Sequence, residues 1–166
     1  VDGAVHRQGL AIIYNQYHRL GTDQGAHEAE RAIFQPLFTT SFLIENFMRA
    51  NDWFGAEALL MTSASSKTSL GLAMVAKNLS PAIKRIGLTS GGNKAFVEQT
   101  ALYDEVLSYD DLATADADRS TVSVDFAGSG SLLADIHAHW GDNLKFSSLV
   151  GVTHIEERGG GDDLQG

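Results

Sequence analysis

At 166 residues the chain is sized for one domain with a substantial core, and 43% hydrophobic residues is ordinary for a globular protein. A formal net charge of −9 and a pI near 4.9 argue against nucleic acid or an anionic membrane as the main partner. With no cysteine there is no disulfide, no thiol chemistry and no Cys-containing zinc site, and no apolar run reads as a signal peptide or transmembrane span.

A cytoplasmic protein is therefore expected, since a cysteine-free chain suits a reducing compartment. Its expected partners are a small-molecule substrate and, at most, a second copy in a homodimer. The chain opens on Val1 rather than methionine, which reads as a start inside a longer open reading frame.

In chain order, Leu10 to Tyr14 reads as a strand and Gly21 to Arg31 as an exposed loop or short helix. His27 beside Glu28 and Glu30 reads as solvated surface, because a metal site needs several convergent ligands. Pro36 suits a helix start, and Phe38, Phe42, Leu43 and Phe47 then fall near one face of a core helix. Within it Thr39, Thr40 and Ser41 are polar in an apolar setting, able to bond back to the previous turn.

The stretch from Glu57 to Asn78 organises the rest. Ala58-Leu59-Leu60-Met61 has the length of a buried parallel strand, a small polar turn runs from Thr62 to Lys67, and Thr68 can cap a helix carrying Leu70, Ala73 and Met74. Strand, tight turn and helix make the first unit of a dinucleotide-binding fold, whose helix N-terminus offers free N–H groups to a pyrophosphate. The glycine fingerprint G-x-G-x-x-G is replaced: Ser63, Ser65 and Ser66 stand where glycines are usual, and Gly71 remains where a helix must pack closely on a sheet. A merely tight strand-to-helix turn is the competing reading. Ser66-Lys67-Thr68 imitates the end of a nucleoside-triphosphate loop, but Ser66 and Met61 occupy the positions where that loop needs glycine.

A second strand, Arg85 to Thr89, ends in Ser90-Gly91-Gly92-Asn93-Lys94, without the carboxylate that usually holds a ribose 2′-hydroxyl. Lys94 at a helix start opposes the macrodipole, a penalty that a bound 2′-phosphate would reverse; a solvent-exposed lysine is the alternative. A short helix over 93–100 precedes a strand at 105–109 and an acidic connection at 110–120. The strand 121–126 leads into Asp125-Phe126-Ala127-Gly128-Ser129-Gly130, a turn flexible enough for close ligand approach. A helix over 131–140 carries Leu132, Leu133 and Ile136 toward the sheet, while His137 and His139 point apart, and a last strand covers 144–152. The glycine-rich end, 156–166, has the composition of a flexible tail.

This alternation predicts an α/β fold, a three-layer Rossmann-like domain with a mostly parallel sheet of five or six strands. Right-handed crossovers would set the turns 63–68, 89–93 and 125–129 along one carboxyl edge. The expected division is a flanking segment 1–36, a cofactor-binding domain 37–155 and the tail.

Residues 37 to 152 resemble the cofactor domain of medium-chain dehydrogenase/reductases, through LLMTSASSKTSLGLAMVAKNL and IGLTSGGNKAFVEQTALYDEVLSYDD, and particularly their zinc-independent, quinone-reductase-like branch. More narrowly, PLFTTSFLIENF with SASSKTS is similar to the family of unknown function DUF2855. The resemblance implies an NADP-dependent oxidoreductase, NADPH donating hydride to a carbonyl or enone-like acceptor, without metal. It implies that Lys94 and Tyr109 grip the 2′-phosphate, and that Thr40, Ser63, Ser65, Ser66, Lys67, Thr68, Thr89, Ser90, Asn93, Phe126 and Gly128 contact the cofactor. It also implies a separate catalytic domain built from sequence outside this stretch, part of it from the flanking segment 1–36. A nucleotide-binding sensor or interaction module without catalysis is the alternative, as is a structural remnant that binds nothing.

Overall fold

The computed structural model describes Val5 and residues 27–150, and the chain divides into two compact units, Val1–Ile33 and Phe34–Gly166. The expected strand at Leu10 to Tyr14 and the glycine-rich tail lie outside the described residues. Four helices and five strands carry the architecture: α1 Glu28–Ala50, β1 Ala58–Met61, α2 Lys67–Leu79, β2 Lys84–Thr89, α3 Lys94–Gln99, β3 Glu105–Ser108, β4 Thr121–Asp125, α4 Gly130–Trp140 and β5 Leu144–Leu149.

The strands form one five-stranded sheet in the order β3-β2-β1-β4-β5, and every neighbouring pair is parallel. The expected α/β fold is what the chain adopts. β1 is central and completely buried, so its side chains feed both cores and no polar alternation survives. Leu59 and Met61 join Val122 and Val124 beneath α1 and α2, through Met48, Leu72, Ala73 and Ala76. Ala58 and Leu60 face the other way, with Ile86, Leu88 and Leu107, against Ile136 and Trp140 of α4. Helices thus cover both faces, which makes the third layer.

Several local expectations are corrected. Pro36 lies inside α1, which begins at Glu28. A proline deletes one backbone donor there, and the next residues turn their hydroxyls back on the helix: Thr39 Oγ1 donates to Gln35 O, Thr40 Oγ1 to Pro36 O and Ser41 Oγ to Leu37 O. Phe38, Phe42, Leu43 and Phe47 are not core residues, being 43–57% exposed, whereas Ser41, Glu45 and Met48 are buried. The cause is a close crossing of α1 over α2. Ser41 Oγ also donates to Thr68 O at 2.8 Å, and a Cβ on Gly71 would sit 2.7 Å from that Oγ. Gly71 therefore admits a neighbouring helix rather than the sheet. Buried Glu45 accepts from Arg49 Nε (3.1 Å) and Ser80 Oγ (2.8 Å), which offsets its desolvation.

On α2 the inward residues are Leu72, Ala73, Val75 and Ala76, so of the expected set Leu70, Ala73 and Met74 only Ala73 is buried. Ahead of β1, Asp52, Trp53, Phe54 and Gly55 share positive φ, a left-handed turn that L-residues adopt at about 1–2 kcal/mol each. It buries Trp53 and stacks Phe54 on Phe146 at 4.3 Å, with Phe47 alongside both rings.

The α1–α2 contact gives a direct test. Gly71→Ala should lower stability by about 1–3 kcal/mol, because the new methyl group displaces Ser41 Oγ from Thr68 O. Chemical denaturation of Gly71→Ala and of the double variant with Ser41→Ala should show part of that loss recovered, since the clashing oxygen is gone.

Candidate functional site

The chain runs outward from β1 through β2 to β3 and then crosses back to β4 on the other side of β1, so strand order reverses between the neighbours β1 and β4. In open parallel sheets ligands bind outside the carboxyl ends of the strands at such a switch point. Four turns meet at this edge: 62–66 after β1, 90–93 after β2, 109–114 after β3 and 126–129 after β4.

The first turn and the last are locked together. Thr62 is fully buried and its Oγ1 donates to Asp125 Oδ1 at 2.5 Å, while accepting from the N–H groups of Phe126 (2.8 Å) and Ala127 (3.1 Å). Asp125, 1% exposed, also takes Ala127 N–H on Oδ1 and Gly128 N–H on Oδ2. Each of these partners donates to the carboxylate. Gly128 has a φ of 69°, so the chain turns away from β4 where a side chain would be strained.

The turn after β1 takes the path of a glycine turn while using serines. Ser63 has a φ of 45°, the left-handed conformation that favours glycine. Its carbonyl accepts Ser66 N–H at 2.7 Å, and Ser66 Oγ accepts Ser69 N–H at 3.3 Å. Ser66, not Thr68, is thus the cap, and α2 starts at Lys67. That cap takes one orphan donor and leaves the N–H groups of Lys67 and Thr68 without an intrahelical acceptor, beside the positive end of the helix dipole. Lys67 itself is exposed.

Tyr103 holds this turn from behind, its hydroxyl donating to Ala64 O at 2.8 Å and lying 2.9 Å from Ser69 Oγ. Burial raises the Tyr103 pKa far above the usual phenol value, against a smaller opposing effect of Ser69, so the hydroxyl stays protonated. Its ring covers Gly87, where a Cβ would lie 2.8 Å from the ring and 3.0 Å from Ala64 Cβ.

Of the expected cofactor residues, Ser63, Ser65, Ser66, Lys67, Asn93, Lys94, Tyr109 and Gly128 fall on this edge. Asn93 Nδ2 donates to Ser65 Oγ at 3.2 Å, joining the second turn to the first. Tyr109 Oη accepts Ser63 N–H at 3.2 Å, so its phenol is engaged at the first turn. Thr89 is buried at the end of β2 and Ser90 is exposed beside it. Phe126 belongs to the core on the α1–α2 face, its backbone N–H bound to Thr62. Thr40 spends its hydroxyl on Pro36 O within α1.

A cleft of about 440 Å³ opens between the first, third and fourth turns, lined by Ser63, Tyr109, Asp110, Ala127, Ser129, Ser131, Leu132 and Asp135. Ser129 caps α4 by accepting Leu132 N–H. Asp111 corrects the expectation that no carboxylate stands near Lys94: its Oδ2 is 3.6 Å from Lys94 Nζ and accepts Ser108 Oγ at 2.7 Å. The Ser108 bond lowers the Asp111 pKa below the usual carboxyl range, against a smaller desolvation effect, and Lys94 lowers it further.

Sequence reasoning missed Thr62, Asp125 and Asp111. An Asp at a strand end followed three residues later by glycine is a signal for the Asp125 turn; nothing in sequence spacing marks Asp111 as the partner of Lys94. Among the described residues no group of three His, Asp or Glu converges as metal ligands, and no helix is long and apolar enough to cross a membrane.

Thr62→Val keeps the volume and removes the hydroxyl, leaving Phe126 N–H buried without an acceptor and Asp125 short of a donor. Urea unfolding should show a loss of about 2–4 kcal/mol; a loss below about 0.5 kcal/mol would mean the lock contributes no more than a surface hydroxyl does.

No curated protein sequence matches the chain. Among solved structures, the crystal structure of the D-arabinose dehydrogenase from Sulfolobus solfataricus is similar at a TM-score of 0.54 and 13% identity, over 69% of this chain and 44% of that one. The chain spans less than half the length of that dehydrogenase, and likeness at this identity is likeness of fold. A family model described as "Protein of unknown function (DUF2855)" matches residues 1–163, and the chain belongs to that family.

Proposed function

We propose that Phe34 to Val150 is the cofactor-binding part of an NADP-dependent oxidoreductase, similar to the zinc-independent, quinone-reductase-like enzymes, acting on a carbonyl or enone-like acceptor. The observation that carries this reading is the Ser63–Thr68 turn, a left-handed residue and a capped helix N-terminus placed at the switch point of a parallel sheet.

The residues fit a dinucleotide. Lys67 and Thr68 have N–H groups available to a pyrophosphate, and the exposed Lys67 ammonium adds a point charge that a glycine turn lacks. The cleft beside Ser63 and Tyr109 is a few hundred Å³, of the size that receives a nucleotide moiety, with an apolar wall at Leu132 and polar groups around it. Lys94, at the end of the second turn, supplies the cation for a 2′-phosphate. When bound, the nicotinamide cofactor supplies hydride chemistry. The chain's own contribution is to hold the pyrophosphate, through backbone donors fixed by Ser66 and Tyr103, and to keep the β4 turn rigid through Asp125.

Calorimetric titration of two variants separates the roles. Lys94→Ala should weaken NADPH by about 1–3 kcal/mol and leave NADH nearly unchanged. Lys67→Met should weaken both cofactors alike, because both carry the pyrophosphate. Equal losses at Lys94 would count against the 2′-phosphate assignment, and unchanged affinities at Lys67 would mean that its charge points into solvent only.

A further inference from the structure

Lys94 does not wait for a phosphate with its charge unspent. Asp111, on the turn after β3, lies 3.6 Å away, and Ser108 anchors the same carboxylate oxygen, Oδ2, at 2.7 Å. Both side chains are partly solvent-exposed, 36% for Lys94 and 48% for Asp111, so a ligand can reach them. The half-exposed carboxylate has acceptor sites beyond those that Ser108 and Lys94 use.

We propose that Asp111 is a specificity-determining residue of the dinucleotide site, disfavouring a 2′-phosphate and accepting a 2′-hydroxyl, and thereby narrowing the preference for NADP(H) that Lys94 creates. This rests on the reading that Lys94 meets the 2′ position. A phosphate approaching Lys94 must share the ammonium with a carboxylate that Ser108 prevents from swinging freely aside. Two anions around one cation repel each other, and the repulsion persists in a partly exposed site because the separation is well inside the screening length. A ribose 2′-hydroxyl meets no such opposition. It donates to Asp111, the arrangement by which a carboxylate elsewhere in dinucleotide folds recognises NAD. Here the carboxylate comes from the turn after β3 rather than from the end of β2, where Ser90 to Asn93 holds no acid.

Asp111→Asn keeps the shape and the Ser108 contact while removing the charge. Titrating the 166-residue chain with NADPH and with NADH should show NADPH binding about five- to tenfold tighter in Asp111→Asn and NADH equal or weaker, a change of the ratio toward NADPH. Asp111→Ser, which also removes the side chain's reach, should move the ratio the same way if Asp111→Asn fails to fold. An unchanged ratio, or a weaker NADPH, would overturn the inference, the latter by showing that Asp111 orients Lys94 for the phosphate. The two ideas fail differently. If Lys94→Ala selectively weakens NADPH while Asp111→Asn leaves the ratio alone, only the role of Asp111 falls. If the unaltered chain binds neither dinucleotide, both fall.

Discussion

The hydrogen-bonded pair of Thr62 and Asp125 is the constraint on which the carboxyl edge depends. Parallel strands are joined only by distant crossovers, so nothing in the ladder itself fixes how the loops beyond β1 and β4 lie relative to each other. Here one hydroxyl serves both, donating to the Asp125 carboxylate and accepting two backbone N–H groups from the β4 turn. Full burial raises the cost of breaking any part of it, because each freed group would lack water. The crevice between the turns is thereby pre-formed, which spares a ligand the cost of ordering it.

Upon that base the turn after β1 replaces glycine freedom with serine chemistry. Ser63 accepts a left-handed backbone at a cost that glycine would avoid, and Ser66 answers by capping α2. Tyr103 then fixes the turn against β2, where Gly87 makes room for its ring. Ser66 accepts the capping bond from Ser69 N–H and Ser65 accepts from Asn93 Nδ2, which fixes both side chains while leaving their O–H donors, with the backbone N–H groups and Lys67, for an anion. The same economy shows at the second turn, where Lys94 is balanced by Asp111.

Much of this architecture was legible because strands buried on both faces read as short apolar runs. ALLM reads as a buried parallel strand and Arg85 to Thr89 as the next strand of the same βαβ unit; β4 follows from a β-branched, alternating stretch, and the bounds of β3, β4 and β5 move by one to three residues. Helix faces were harder. In α1 the phenylalanines mark the solvent side and Ser41 the packed side, because a small residue facing Gly71 lets two backbones approach, and periodicity of hydrophobicity carries no information about that. The left-handed turn at Asp52 to Gly55 was likewise invisible: Trp53 and Phe54 are residues no propensity scale would put there, and tertiary aromatic packing holds them. At the site, turns could be placed from small residues and glycine, whereas Thr62 with Asp125, and Lys94 with Asp111, are pairings made by topology across 63 and 17 positions (the latter from 111 − 94).

The most direct measurement is of the α2 N-terminus itself. Amide signals of Ser65, Lys67 and Thr68 should be followed by nuclear magnetic resonance while NADPH, and separately NADH, is added to the folded chain. A pyrophosphate held by this turn predicts saturable shifts of the Lys67 and Thr68 amides with both cofactors, with Ser69 moving less because Ser66 already occupies it. Amides that stay unmoved to saturating cofactor, or that move no more than those of surface residues remote from the carboxyl edge, would contradict a dinucleotide site at the switch point.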